Sequence, residues 1–402
     1  MKILLINVVC GFGSTGKICT DLYDLLKENN HECCIAFGRG TAPKGYYTYR
    51  IGSKFDNYMH VAKTRLFDAQ GFASKKATND FIQFINAYDP DIIHLHNIHG
   101  YYLNIELLFT YLKEKKKRIV WTFHDCWPYT GHCAHYLSNH CFDWKTICNN
   151  CKFHYVYPKS LTDHCRRNFI RKKELFTSIR SLTTIISVSN WLKTEIEQSF
   201  FYNFNIETIR SGIDINIFHF RESSLREIMN LVDKKVILGV SSQWNEKKGL
   251  QYFMELANSL TKEYQIVLIG LNKNKIRELP LNIIGIEKIE DGKKLAEFYS
   301  MADIFCNFSL EETFGLTNYE AQACGTPVLS FDSGGTSETL INDNTYLIEK
   351  NINSIIDFIR RFDFSKKKEK IDLNQFDKKQ AFNEYINLYE RIFKYENISN
   401  RS

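Results

Sequence analysis

FSLEETFGLTNYEAQACGTPVLSFDSGGTSE, residues 308–338, carries two carboxylates eight positions apart, Glu312 and Glu320, with Phe314, Gly315 and Leu316 between them. The apolar run DIFCNFS at its start reads as a strand, and residues 316–324 read as a helix. Gly325, Thr326 and Pro327 then turn the chain into the strand PVLSFD. In a strand–helix–strand unit the helix N-terminus faces the ligand cleft, where free N–H groups and the macrodipole favour a phosphate. Glu320, about one turn into the helix, is placed to accept two hydrogen bonds from ribose hydroxyls. Glu312, ahead of the helix, is placed to bind sugar hydroxyls. Two idle surface carboxylates are the bland alternative, and the strand–helix–strand setting weighs against it.

The same alternation runs outward in both directions. KILLINVV, ECCIAF, DIIHLH, RIVWTFH and TTIISVS read as strands of a first sheet, and Ile18, Leu22, Leu25 and Leu26 recur at helical spacing. The pattern restarts after residue 213 with KKVILGVSS, the helix GLQYFMELANSL, then YQIVLIG, LNIIGIEK and TYLIEK. At 402 residues the chain is too long for one ordinary core. The reading is an α/β protein of two Rossmann-like domains facing a central cleft. The first domain spans 1–212, RSGIDINIF near 210–218 is the hinge, and the second domain spans 213–377. Residues 378–402 form an amphipathic helix through Phe382, Tyr385, Ile386, Tyr389 and Phe393 that packs back on the first domain.

A hydrophobic fraction of 44% marks a folded chain, and a net charge of +6 suits anionic ligands while being too weak to argue for nucleic acid. Met1-Lys2 leads straight into a short apolar run that ends in a Gly-rich turn, and no run of about 18 apolar residues follows. A cytoplasmic protein is expected. CGFGSTGKI, residues 10–18, nearly spells the phosphate loop G-x-x-x-x-G-K-[ST], but Ile18 stands where a hydroxyl should hold Mg²⁺. No apolar strand ending in Asp supplies an obvious magnesium partner, so a nucleotide triphosphatase is the weaker reading.

Taken together, GSTGKI, HLHN, TFHDCWPYTGHC, ISVSNW, RSGID, QWNEKKG, the glutamate pair and PVLSFDSGGTSE resemble glycosyltransferase family 4 in order along nearly the whole chain. The nearest branch is that of bacterial colanic-acid and exopolysaccharide transferases. The resemblance implies a GT-B fold and a retaining hexosyltransferase that uses a UDP- or GDP-linked sugar, with no metal needed for catalysis. A glycan acceptor, lipid-linked, is implied in cell-surface polysaccharide synthesis. It also implies roles by position. Lys248 neutralises the donor diphosphate, Glu312 holds the donor sugar, and Phe314, Gly315 and Leu316 make backbone contacts. Glu320 holds the ribose, and His124 lies beside donor sugar and acceptor. The Gly11–Gly16 loop, with Gly13 at its middle, lets backbone approach the pyrophosphate or the acceptor. The family carries Arg five residues before the lysine; this chain has Gln243, so Lys247 or Arg210 would have to stand in, or diphosphate affinity is lower. A non-enzymatic nucleotide-sugar-binding protein on the same fold is the alternative.

An excursion at 126–170 breaks the alternation. Cys133, Cys141, Cys148 and Cys151 are spaced C-x7-C-x6-C-x-x-C, which suits a closed structural zinc site, with His132, His135, His140 and His154 as alternative ligands. Reduced thiols without metal, or disulfides, are the other readings. Two basic stretches, Lys113 with Lys115–Arg118 and Arg166, Arg167, Arg171, Lys172 and Lys173, flank apolar helix faces. They could dock peripherally on a membrane or simply solvate helix ends.

Overall fold

The computed structural model of the chain describes residues 1–365 and 371–399, the last five as backbone. Residues 366–370 of the second predicted domain and 400–402 of the predicted terminal helix lie outside the described residues. The chain forms two compact units, Met1–Ile209 with Phe382–Ser402, and Arg210–Ala381. The corresponding limits read from the sequence were 212 and 377.

The first unit holds a seven-stranded parallel sheet: β1 (Lys2–Asn7), β2 (Glu32–Phe37), β3 (Thr48–Arg50), β4 (Ile92–Leu95), β5 (Arg118–Phe123), β6 (Thr183–Ser187) and β7 (Asn205–Thr208). The order across it is β3-β2-β1-β4-β5-β6-β7. Ile3 to Ile6 on β1 are fully buried between β2 and β4. A strand covered on both faces needs such a continuous apolar run.

The second unit repeats the plan with β8 (Lys235–Val240), β9 (Tyr264–Ile269), β10 (Ile283–Ile286), β11 (Ile304–Asn307), β12 (Val328–Phe331) and β13 (Thr345–Ile348), ordered β10-β9-β8-β11-β12-β13. Helices cover both faces. Phe253, Leu256, Ile355 and Ile359 fill one side, and Phe298, Tyr299, Ala321 and Cys324 the other. In both sheets the strand order reverses beside the first strand, at β1/β4 and at β8/β11. Ligands of doubly wound folds bind outside the carboxyl ends of strands at such a switch point.

The helix Lys378–Ser399 starts in the second unit and ends in the first. There Tyr385 Oη meets Thr122 Oγ1 at 2.9 Å and Tyr389 Oη meets His94 Nδ1 at 2.5 Å. The excursion between β5 and β6 contains three short 3₁₀ turns, and it packs around its own buried rings, Trp127, Tyr129, Tyr136 and Trp144. The two basic stretches read as docking faces need correction. The helix Ile105–Glu114 buries Ile105, Leu108, Phe109 and Leu112 completely, and the helix Cys165–Thr177 buries Phe169 and Lys172. Their apolar sides belong to the core because the sheet must be covered. Among the described residues no helix is long and apolar enough to cross a membrane.

Candidate active site

The second unit gathers its site at the β8/β11 switch point. The loop leaving β8 turns at once, because Ser241 Oγ donates to the Gln243 carbonyl at 2.9 Å. Gln243 itself is exposed. Trp244 is buried and donates Nε1–H to the Ile269 carbonyl at 2.8 Å, which pins the loop to the end of β9. The Asn245 side chain accepts the Lys248 N–H at 3.0 Å and caps the short turn Glu246–Lys248. Gly249 follows at φ +72°, and a β-carbon there would sit 2.1 Å from the Phe308 carbonyl oxygen. Only glycine lets the loop lie against the end of β11.

That close approach brings two lysines onto two glutamates. The Lys248 ammonium pairs with Glu312 Oε1. Lys247 Nζ lies 2.7 Å from Glu311 Oε2, and Glu311 is buried. The Leu310 N–H donates to the Lys247 carbonyl at 2.8 Å, so backbone as well as charge ties the two loops. Gly315, at φ +97°, caps the helix Leu316–Ala323. Phe314 buries its ring edge-on against Tyr319, leaving its backbone at the helix entrance. Within the helix, Glu320 accepts a hydrogen bond from the Tyr299 hydroxyl at 2.8 Å. Tyr299 is fully buried, and its phenol is held far above the ordinary range by burial and by the Glu320 carboxylate. The second unit therefore places Gln243, Lys248, Glu312, Phe314, Gly315, Leu316 and Glu320 along the carboxyl ends of β8 and β11.

Gly13 and His124 belong to the first unit. Gly13 starts the helix Gly13–Glu28 after β1, with open space around it. In the same loop the Gly11 N–H is spent on the Gly16 carbonyl at 3.0 Å, and Lys17 points outward into solvent. His124 follows β5, and its Nε2 lies 2.9 Å from His96 Nδ1. Burial pushes its pKa down to about 4, so the ring is neutral at neutral pH. The next residue, Asp125, meets His99 Nε2 at 2.6 Å and accepts the Trp127 N–H at 2.9 Å. Burial alone would raise Asp125, but the His99 ring beside it holds it at about 2. Tyr157 Oη reaches the other His99 nitrogen at 3.0 Å.

Three features here are absent from the sequence reading. Tyr299 lies outside every motif, and Lys247 and Glu311, though each sits beside a motif residue, meet across 64 positions of chain. Asp125 had one signal, its place beside His124 in TFHD. The expected stand-ins for the missing arginine are already engaged, Lys247 with Glu311 and Arg210 with Glu338 at 3.0 Å.

The cysteines of the excursion form no disulfide among the described residues. Among the described residues no group of three or more His, Cys, Asp or Glu is arranged as a metal site. Cys141, Cys148 and Cys151 nonetheless lie near enough to Cys133 to push its thiol up further, after burial. Their sulfurs have other engagements. Cys148 Sγ accepts the Gly131 N–H at 3.2 Å, and Cys151 pairs with the Cys165 thiol, which helps draw its pKa down to about 7.

Two family comparisons divide the chain much as its two units do. Residues 16–217 match Glycosyltransferase Family 4, and residues 222–382 match Glycosyl transferases group 1. A putative colanic acid biosynthesis glycosyl transferase, WcaC of Escherichia coli K12, is 23% identical over 360 residues, 85% of each chain. Among solved structures, a glycosyltransferase from Rickettsia africae superposes with a TM-score of 0.67 at 17% identity, covering 98% of both chains. Anabaena Alr3699/HepE, solved in complex with UDP-glucose, gives 0.61 at 16% identity over 90% of both.

Proposed function

Because the chain belongs to glycosyltransferase family 4, we propose that it moves a hexose from a UDP- or GDP-linked donor to a glycan acceptor, lipid-linked, with retention of anomeric configuration. The product is a cell-surface polysaccharide. Transfer of a sugar is what the family does; donor, acceptor and stereochemistry are our reading. The observation that carries it is the Lys248–Glu312 pair beside the Gly315-capped helix entrance, at the switch point of the second sheet. The description of the Escherichia coli relative and the UDP-glucose in the Anabaena structure support it.

The chemistry follows from that geometry. When the anomeric C–O bond breaks, negative charge grows on the departing diphosphate. Lys248 and the free N–H groups at the start of the helix Leu316–Ala323 stand ready for it, without reorganisation. Glu312 holds the Lys248 ammonium in place until the diphosphate competes for it, and then turns to the sugar hydroxyls. Glu320, fixed by Tyr299, receives the ribose. The leaving phosphate takes the acceptor proton, so no protein nucleophile is needed. His124, kept neutral, orients a hydroxyl by hydrogen bonding and is not charged as a base. With Gln243 in place of arginine, Lys248 is the motif's remaining cation; Lys247 and Arg210 add charge only by leaving Glu311 and Glu338, as Lys248 must leave Glu312. Weak nucleotide binding is the consequence.

The test is thermal melting with UDP, GDP and ATP, each with and without magnesium, on wild type and Lys248→Ala. UDP or GDP should raise Tm without magnesium in wild type only. The variant should lose ~100-fold or more in transfer rate, as expected when a preorganised charge-stabilising group is removed. Stabilisation by ATP with magnesium alone would mean that Gly11–Lys17 is a phosphate loop after all, and the proposal would fall.

A further inference from the structure

The amino ends of the first sheet's strands enclose a recess, at the opposite end of the sheet from His124. Arg118 begins β5, Thr183 and Thr184 begin β6, and Asn205 begins β7. With Arg180, in the short turn before β6, and Arg391 of the terminal helix they line a space of about 420 Å³. No carboxylate is among the described residues that line it. β5 is six residues long, so ~20 Å of strand separate this recess from His124.

Its charge is unbalanced. Arg391 reaches both oxygens of the neighbouring Glu207, at 2.6 and 2.7 Å. Arg118 and Arg180 have no ion pair among the described residues. The Arg118 Nε–H is buried and finds no acceptor. Buried donors are nearly always satisfied, so one left without an acceptor marks a place where a ligand oxygen gains most. A second recess of about 540 Å³ shares Arg180 and Asn203 with the first. Its walls carry rings, Trp144 and Phe204 buried and Tyr202 exposed. Its one carboxylate, Glu197, lies 3.9 Å from the Lys193 ammonium. The Trp144 indole N–H is also buried without an acceptor. Each recess therefore holds one orphaned donor, and the two recesses meet at Arg180.

We propose that the joined recesses bind a phosphate ester that carries a ring, a sugar phosphate or a nucleotide, with the phosphate at Arg118 and Arg180 and the ring toward Trp144 and Tyr202. The walls select that class. Two guanidinium groups without carboxylates fit a doubly charged oxyanion, which each fork can grip through two N–H groups. Aromatic side chains beside Arg180 offer a ring apolar area and, through the indole N–H, a polar contact. A free oxyanion would fill the first recess only. Arg391 and the Tyr389 hydroxyl that meets His94 lie on one helix, so an occupied recess also ties that helix to the starts of β5 and β6. The inference goes beyond the donor reading and uses no residue of the second unit.

The experiment is isothermal titration of the full chain with glucose 1-phosphate and with UMP, against inorganic phosphate and glucose. At least one ester should bind about tenfold or more tighter than inorganic phosphate and glucose, and should raise Tm. The double variant Arg118→Gln, Arg180→Gln should weaken that binding about tenfold or more, as the loss of hydrogen bonds to a charged group requires. Asn203→Asp, at an exposed residue shared by both recesses, should repel the phosphate while melting like wild type in the absence of ligand. Lys248→Ala should still bind the ester at wild-type strength, which separates this site from the donor site. Binding of neither ester, or inorganic phosphate as tight as the better ester, overturns the proposal. So does undiminished binding by Asn203→Asp and the arginine variant, or loss of the ester in Lys248→Ala.

Discussion

Tyr299 shows how much of the site depends on a residue with no motif. Its hydroxyl fixes one oxygen of Glu320 from the buried side. Tyr299→Phe keeps the ring and its packing and removes one hydrogen bond to a charged group, worth ~1.5–3 kcal/mol. If Glu320 holds the ribose, that contact is the same in ground and transition states. The variant should therefore raise KM for the donor about tenfold or more with kcat nearly unchanged. Steady-state kinetics with the donor varied checks this; a fall in kcat at constant KM would remove Glu320 from the ribose. Glu312, Glu320 and Lys248 were legible because each sits in a short motif at a strand end, and the structure brings those motifs to the carboxyl ends of β8 and β11. Tyr299 and Glu311 were not, because each answers to a partner far along the chain, and any residue of suitable shape and polarity could have filled the role.

Elements differ in the same way. Central strands such as β1 and β9 announce themselves as apolar runs, since both faces are covered. β3 and β7 went unread. They are edge strands, TYR and NIET, paired on one side and only half-buried, so nothing demands an apolar run. The helix Lys54–Phe67 misleads for the opposite reason: its apolar stripe obeys helical spacing yet faces outward. Loops are decided by single backbone positions. Gly249→Ala would drive a β-carbon into the Phe308 carbonyl at φ +72°, whereas Gly13→Ala, at φ +64°, meets nothing within 4 Å. Gly13→Ala should cost only the left-handed penalty of ~1–2 kcal/mol. Gly249→Ala adds a backbone clash and should cost more than twice as much, pulling Lys248 away from Glu312. Denaturant unfolding ranks the two, and donor affinity should fall further in Gly249→Ala. Equal effects would mean that the loop yields without strain.

At the scale of the whole molecule, the restart of the alternation after residue 213 made two units legible, but not that they differ in their response to acid. The first unit buries His60, His94, His96 and His124, all pushed down by burial, to about 3 for His60 and about 4 for His124. A folded pKa below the unfolded value near 6.5 means that the unfolded chain binds more protons, so stability falls as pH drops below about 6.5 toward those folded values. His132 works the other way. Against its own burial, the Asp68 carboxylate raises it, so its contribution is present in acid and lost as pH rises through its folded pKa. With His31, also lowered, five rings outnumber the one raised ring. The second unit contains one histidine, His219, half-buried with its Nδ1 3.0 Å from the Ile215 carbonyl, and no buried array among the described residues. Trp121, Trp127, Trp144 and Trp191 lie in the first unit and Trp244 alone in the second, so indole fluorescence reports mainly the first. Between pH 7.5 and pH 5 the fluorescence melting temperature should drop while the part of the far-ultraviolet circular dichroism transition that comes from the second unit holds. His94 also bonds Tyr389 of the terminal helix, so protonating the array should loosen that helix from the first unit. His94→Gln, which cannot be protonated, should narrow the pH gap between the two transitions; a gap that stays the same would place the acid sensitivity elsewhere.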